Sequence, residues 1–282
     1  MSDNSGPNST SKHNQMSFLE HLEVLRWIIM RLVIVLFAIA CVVYVFREFV
    51  FHDIVMASKD IDFWTYKKFC QISHYFNNLW PSFIDKDVMC FDAINPKFLP
   101  GKVAGNFITA MIVSLIGAII IGFPYIIWEL WRFLKPALYP KEKKSARGLV
   151  FFSSLLFMCG VLFGYYIINP LSVHFLIDFD LGFPTESLYP MTSFMAIVAS
   201  TTLAAGFMFE LPVLVFFLSK AGIVTPEGMR KYRKHSFVAT LVLAAIITPP
   251  DVISQIIVAI PIVILYELSI LISRRVNKKP AI

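Results

Sequence analysis

Long apolar runs separated by polar segments constrain this chain more than any other feature. Six such runs stand out among its 282 residues: 27–46, 107–128, 148–168, 193–219, 237–247 and 252–272. Crossing ~30 Å of hydrocarbon takes about 20 helical residues, and five of the runs meet that length. The fifth run, 237–247, reaches only about 16 Å at ~1.5 Å per residue. It can span where the bilayer thins or a neighbouring helix shields its end; a five-span chain with a re-entrant fifth segment is the alternative. Composition points the same way. The chain is 57% hydrophobic and 16% charged, whereas soluble domains are about 45–50% apolar and about 25% charged. The expected fold class is an all-α membrane protein with six transmembrane helices.

Charge sets the expected orientation, because Lys and Arg favour cytoplasmic loops. The segment 129–147 carries Arg132, Lys135, Lys141, Lys143, Lys144 and Arg147. The segment 220–235 carries Lys220, Arg230, Lys231, Arg233 and Lys234, and the C-terminal end carries Arg274, Arg275, Lys278 and Lys279. The segment 169–192 has no Lys or Arg but holds Asp178, Asp180 and Glu186. Both termini are therefore expected inside, with Arg26 and Arg31 at the mouth of the first span. The basic and acidic residues of the long outer loop 47–106 balance, seven against seven. The net charge of +6 lies in these orienting loops rather than on one face, so nucleic acid is not an expected partner. Three regions follow: a polar, disordered cytoplasmic tail over 1–16, a membrane domain over 17–275, and a short cytoplasmic tail over 276–282. The first apolar run is too long for a cleavable signal and lacks a small-residue cleavage site. No internal repeat is visible, so the inverted-repeat pattern of many secondary transporters is not found.

Ionisable residues inside a span cost about 2.5–3.5 kcal/mol on insertion scales and usually serve function. Glu210 lies mid-run in Phe209-Glu210-Leu211-Pro212, and Pro212 frees the Met208 carbonyl from its helical bond. Such a polar spot must face protein or water. Asp251 and Gln255 open the sixth run. Glu267 lies near its cytoplasmic end, where snorkelling accounts for it. Pro124 and Pro261 read as structural kinks. Cys41 and Cys159 lie within apolar runs as packing residues. No CxxC or CxxH pair exists, so no metal is expected.

Several of these residues also form a pattern. Phe18-Leu19-Glu20-His21-Leu22-Glu23-Val24-Leu25-Arg26 resembles the HLxELR opening of the TatC family, the multispanning subunit of the twin-arginine protein translocase. Trp131-Arg132-Phe133-Leu134-Lys135-Pro136-Ala137-Leu138-Tyr139, followed by Glu142, is similar to the family's W-x-F-x-x-P-A/G-L-Y-x-x-E. Phe209-Glu210-Leu211-Pro212-Val213 resembles F-E-x-P-V. Thr248-Pro249-Pro250-Asp251, Ser254-Gln255, Ile260-Pro261 and Tyr266-Glu267 resemble its closing run. The matches fall in order over about residues 17–275. The resemblance implies a glove-like, concave bundle with short fifth and sixth helices. It implies a receptor for twin-arginine signal peptides that works with single-span TatA/TatB-type subunits, and with further copies of itself, in proton-motive-force-driven export of folded proteins. That role lies in the bacterial inner membrane, is not enzymatic, and requires no cofactor. Carboxylates that accept bidentate bonds suit a pair of guanidinium groups. Glu142 matches one family glutamate, whereas Val24 stands where the other is expected. Glu23 is adjacent to position 24, and Glu20 shares its helix face. The expected signal-peptide site is thus Glu20, Glu23, Arg26 and Glu142. Glu210, Asp251 and Gln255 form the expected intramembrane polar and partner-docking group. The outer loop looks longer than the family's, with the excess near residues 60–92. Its Cys70 and Cys90 are expected to pair if that loop faces the oxidising side. The competing function is a proton-coupled secondary transporter using Glu210, and a structural scaffold is a third class.

The charge asymmetry makes a direct prediction. Single cysteines near Asp180 should react with an impermeant reagent added outside intact cells, while those near Glu142 or Arg230 should not; the reverse pattern would invert the topology.

Overall fold

The computed structural model describes residues 18–59, 63–79, 90, 97–99, 103–134, 146–178, 188–248 and 252–277. The tail 1–16, Glu142 and Asp251 lie outside these. The chain is helical: α1 (Phe18–Val45) continues through short helical turns to Lys59. It is followed by α2 (Trp64–Leu79) and α3 (Val103–Leu134). Next, α4 (Ala146–Phe163) passes through a π-helical turn, Gly164–Ile168, into α5 (Asn169–Asp178). Then come α6 (Met191–Phe209), α7 (Leu211–Lys220), α8 (Pro226–Lys231), α9 (Arg233–Ile247) and α10 (Val252–Val276). Among the described residues five segments are long and apolar enough to cross a membrane: Leu22–Val45, Ala104–Phe133, Gly148–Leu176, Met191–Lys220 and Ser254–Val276. The only strands among these residues are a parallel pair of three residues each, Lys97–Leu99 and Leu188–Pro190.

Two expectations need correction. The last helix is not short: its 25 residues extend about 37 Å. Glu267, Ser269 and Ser273 in its second half do not end it, and each has a partner. Glu267 accepts from Arg233 at 2.7 Å, Ser269 donates to the Leu265 carbonyl, and Ser273 accepts from Ser219. The short helix is α9, whose 15 residues reach about 22 Å. The third apolar segment also runs further than its apolar run, to Asp178. Pro170 would normally interrupt it by leaving the Tyr166 carbonyl without an amide. Here the wider π turn precedes the proline, and the Thr65 hydroxyl of α2 donates to that carbonyl at 2.5 Å. The buried Tyr66 hydroxyl donates to the carbonyls of Pro170 and Ser58. Burial holds this phenol above its ordinary pKa, so it remains a donor.

The helices pack mostly as antiparallel neighbours. Arg31 meets Glu129 at one end of the α1–α3 pair, and Tyr44 meets Phe107 at the other. The tightest contact joins α4 to α6. A Cβ on Gly160 would lie 2.7 Å from the Ala205 carbonyl oxygen, and one on Gly164 would lie 2.7 Å from Ala205 Cβ. On the facing helix, a Cβ on Gly206 would lie 2.7 Å from the Phe157 ring. Small residues let membrane helices approach closely where no hydrophobic drive exists between them. Phe157 is 1% exposed and stacks on Phe123 of α3, so the seam extends into the next helix. The Cys70–Cys90 disulfide closes a loop with a separation of 20 residues beyond α2.

Two outcomes follow from this packing. Gly160→Val should lower stability in detergent by about 1–3 kcal/mol, the usual cost of overpacking, read as a fall in melting temperature; Gly148→Val, with open space around it, should not. Alkylation of the denatured protein should label two cysteines without reductant and four with it. Four labelled thiols without reductant would contradict the disulfide.

Candidate functional site

The end of the bundle that carries the N-terminus of α1 also gathers the basic segments. On α1, Glu23 and Arg26 are exposed and Val24 is half-buried. Glu20 lies in the first turn of the same helix. One turn deeper, Arg31 reaches across to α3, where its Nε stands 3.8 Å from Glu129 Oε1. Arg132 approaches the same oxygen at 3.9 Å, and the Tyr125 hydroxyl donates to it at 3.2 Å. Glu129 is only 3% exposed, and its Oε2 is buried without a hydrogen-bond partner. The neighbouring Trp131 indole N–H is likewise buried and unpartnered. One carboxylate beside two guanidinium groups is thus fixed next to the exposed Glu23 and Arg26 helix.

Glu210 sits at the break between α6 and α7. Because Pro212 has no N–H, the chain turns at Glu210, and α7 restarts with the proline in its first turn. The Glu210 Oε2 accepts from Ser153 of α4 at 2.7 Å, while Oε1 is buried with no partner. Gln255 of α10 donates instead to the Leu241 carbonyl of α9 at 3.1 Å. Glu210 and Gln255 therefore hold separate partners rather than one another. Further along the same seam, Asn169 is fully buried. Its amide donates to the Val198 carbonyl and to Thr202, and its carbonyl accepts from Thr201.

Sequence reasoning missed three of these features. Glu129 was grouped with the loop after the second run, yet it lies inside a 32-residue helix; a lone acid in Trp128-Glu129-Leu130-Trp131 was the available signal. Ser153 carries no signal of its own within the apolar run 148–168. Asn169 and Pro170 read as the start of a loop, because the rescue of the Tyr166 carbonyl comes from Thr65, 101 residues away.

The helices and their buried polar seams define a multi-pass helical membrane protein. The family model described as Sec-independent protein translocase protein (TatC) matches residues 20–261. A Sec-independent protein translocase protein TatC of Blattabacterium is 33% identical over 269 residues, covering 95% of this chain and 99% of the relative. The TatC of Helicobacter pylori strain J99 is 42% identical over 171 residues, covering 61% of this chain and 68% of the relative. A crystal structure of a twin-arginine translocase receptor, TatC, superposes with a TM-score of 0.64 at 29% identity, covering 92% of this chain and all of that one. This chain belongs to the TatC family, and is a membrane protein of protein transport.

Removing Arg31 tests the buried acid. Breaking a fully buried ion pair costs about 3–5 kcal/mol; Arg31 is 38% exposed, so solvent screening reduces this to about 1–2 kcal/mol. Arg31→Met should lower detergent stability by that amount, and the paired change Arg31→Met with Glu129→Leu should recover most of it.

Proposed function

We propose that the chain is the signal-peptide receptor and core subunit of a twin-arginine translocase, lying in the bacterial inner membrane with both ends in the cytoplasm. The likeness to a solved twin-arginine translocase receptor over 92% of the chain is the observation that carries this reading. Six spans, with α9 as the short fifth, form a concave wall. Residues 47–106 form the outer loop, and residues 1–16 and 276–282 are cytoplasmic tails. Glu20, Glu23 and Arg26 on the first helix, with Glu142 in the first basic segment, contact the signal peptide. Two guanidinium groups favour such carboxylates, since charge-assisted bidentate bonds are about twice as strong as neutral ones. The exposure of Glu23 and Arg26 on the first helix supports this, and the excess of Lys and Arg at that end supports its cytoplasmic orientation.

Glu210, with Asp251 and Gln255, is the docking region for a single-span TatA/TatB-type subunit. The buried Oε1 of Glu210 has no hydrogen-bond partner within the described residues, and docking that opens this site would supply one from a polar group on such a helix. Interhelical polar contacts in membranes are worth about 0.6 kcal/mol on average and up to ~1.7, a scale suited to reversible docking. Further copies of the chain assemble around the same partners, and export draws on the proton-motive force.

Glu142→Lys should abolish crosslinking to twin-arginine precursors while leaving insertion and partner association intact; unchanged export would remove Glu142 from the site. Glu210→Gln keeps a hydrogen-bonding group and should retain partner crosslinking, whereas Glu210→Ala should lose it with precursor binding intact. A proton-coupled transporter needs a titratable side chain at 210, so it predicts equal damage from both changes.

A further inference from the structure

Between α4, α7 and α10 runs an apolar groove of about 500 Å³. On α10 it extends from Leu265 to Arg275, ten residues or about 15 Å of helix. That is half the ~30 Å thickness of the hydrocarbon, so the groove is one leaflet deep. Its inner end lies at Pro212, two residues beyond Glu210. Its mouth lies at Leu149 in the first turn of α4 and at Arg275 near the end of α10. A second cation stands beside that mouth, since the Lys220 ammonium lies 5.2 Å from the centroid of the groove-lining Phe216 ring. The mouth is a fixed structure. Ser219 and Ser273, both almost fully buried, bridge α7 and α10 through a 2.7 Å hydrogen bond.

We propose that this groove holds an acyl chain of an anionic phospholipid of the cytoplasmic leaflet, with the lipid phosphate at Arg275 and Lys220. The leaflet assignment rests on the orientation proposed above; the groove and its cations do not. Three observations select this occupant. The lining is apolar except at the mouth, as an acyl chain requires. The two cations stand where a headgroup lies, and guanidinium matches phosphate oxygens bidentately. A crossing helix from a partner subunit needs about 20 residues, twice the length that this groove would cover.

Native mass spectrometry of the full chain in detergent tests the proposal, using phosphatidylglycerol and phosphatidylcholine with the same acyl chains. Phosphatidylglycerol should be retained preferentially. Arg275→Gln should lower its retention about fivefold, the usual weight of one cation near an anionic surface, and Lys220→Gln should add to the loss. Phosphatidylcholine should change little in both. Leu268→Trp fills the groove while leaving both cations in place, and should lower retention of both lipids. Leu268 is 45% exposed, so this change leaves the core intact. Equal retention of the two lipids by the unaltered chain, or unchanged phosphatidylglycerol retention in Arg275→Gln, would overturn the proposal. So would a photocrosslinker at position 268 that captures a single-span subunit instead of lipid in membranes. Detergent binding is blind to orientation, so external labelling at Arg230 would overturn the leaflet assignment alone.

Discussion

The close contact between α4 and α6 is the interaction on which the rest of the structure depends. Gly160 and Gly164 face Ala205 and Gly206 with no room for another carbon. Lipid tails are as apolar as the helices, so burial of apolar surface alone does not drive helices together in a bilayer. Dispersion at short range does, and it acts only where side chains are small. Once the two backbones approach, the polar groups on either side of the glycines come within reach. At one end Ser153 meets Glu210; at the other Asn169 meets Val198, Thr201 and Thr202. The glycines also position Phe157, which packs on Phe123 and carries the contact to α3.

The same seam explains how the segment between α1 and α3 is held. A proline inside a span leaves a carbonyl that water cannot reach, and each such group must be satisfied within the protein. Pro170 leaves that of Tyr166, and Thr65 of α2 supplies the donor. Tyr66 does the same for Pro170 itself, and Tyr165 donates to the Ile54 carbonyl. Phe63 stacks on Tyr166, placing aromatic rings around these bonds. The segment thus docks through hydroxyl–carbonyl bonds around the π turn and the proline, and the disulfide ties α2 to Cys90. At the opposite end Pro212 acts differently: it ends α6, turns the chain at Glu210 and aims that carboxylate at α4.

The existence of five long helices was legible in the sequence, because uninterrupted apolar runs of about 20 residues are a strong signal, but the extent of α3 and of the third segment beyond their runs was not. The short α9 was legible too, as a run too brief for the bilayer. The length of α10 was legible in its apolar run but not in the family resemblance, and Arg233, the partner of Glu267, is one that no local pattern reveals. Glu210 was legible as an acid in an apolar run, but its partner was not, since Ser153 lies 57 residues away. Glu129 was legible only as a lone acid among apolar residues; its salt bridge to Arg31 joins two helices and leaves no trace in the periodicity of either. Side chains that obey local rules could be read from the sequence, whereas those serving a distant carbonyl or carboxylate required the fold.

Recognition of paired arginines is the role we propose for the chain. Binding of a fluorescent twin-arginine signal peptide to the purified chain, followed by anisotropy, tests it most directly. The account predicts saturable binding that is lost when the arginine pair becomes a lysine pair, because lysine keeps the charge but cannot make the bidentate bond. Equal binding of the two peptides would contradict it.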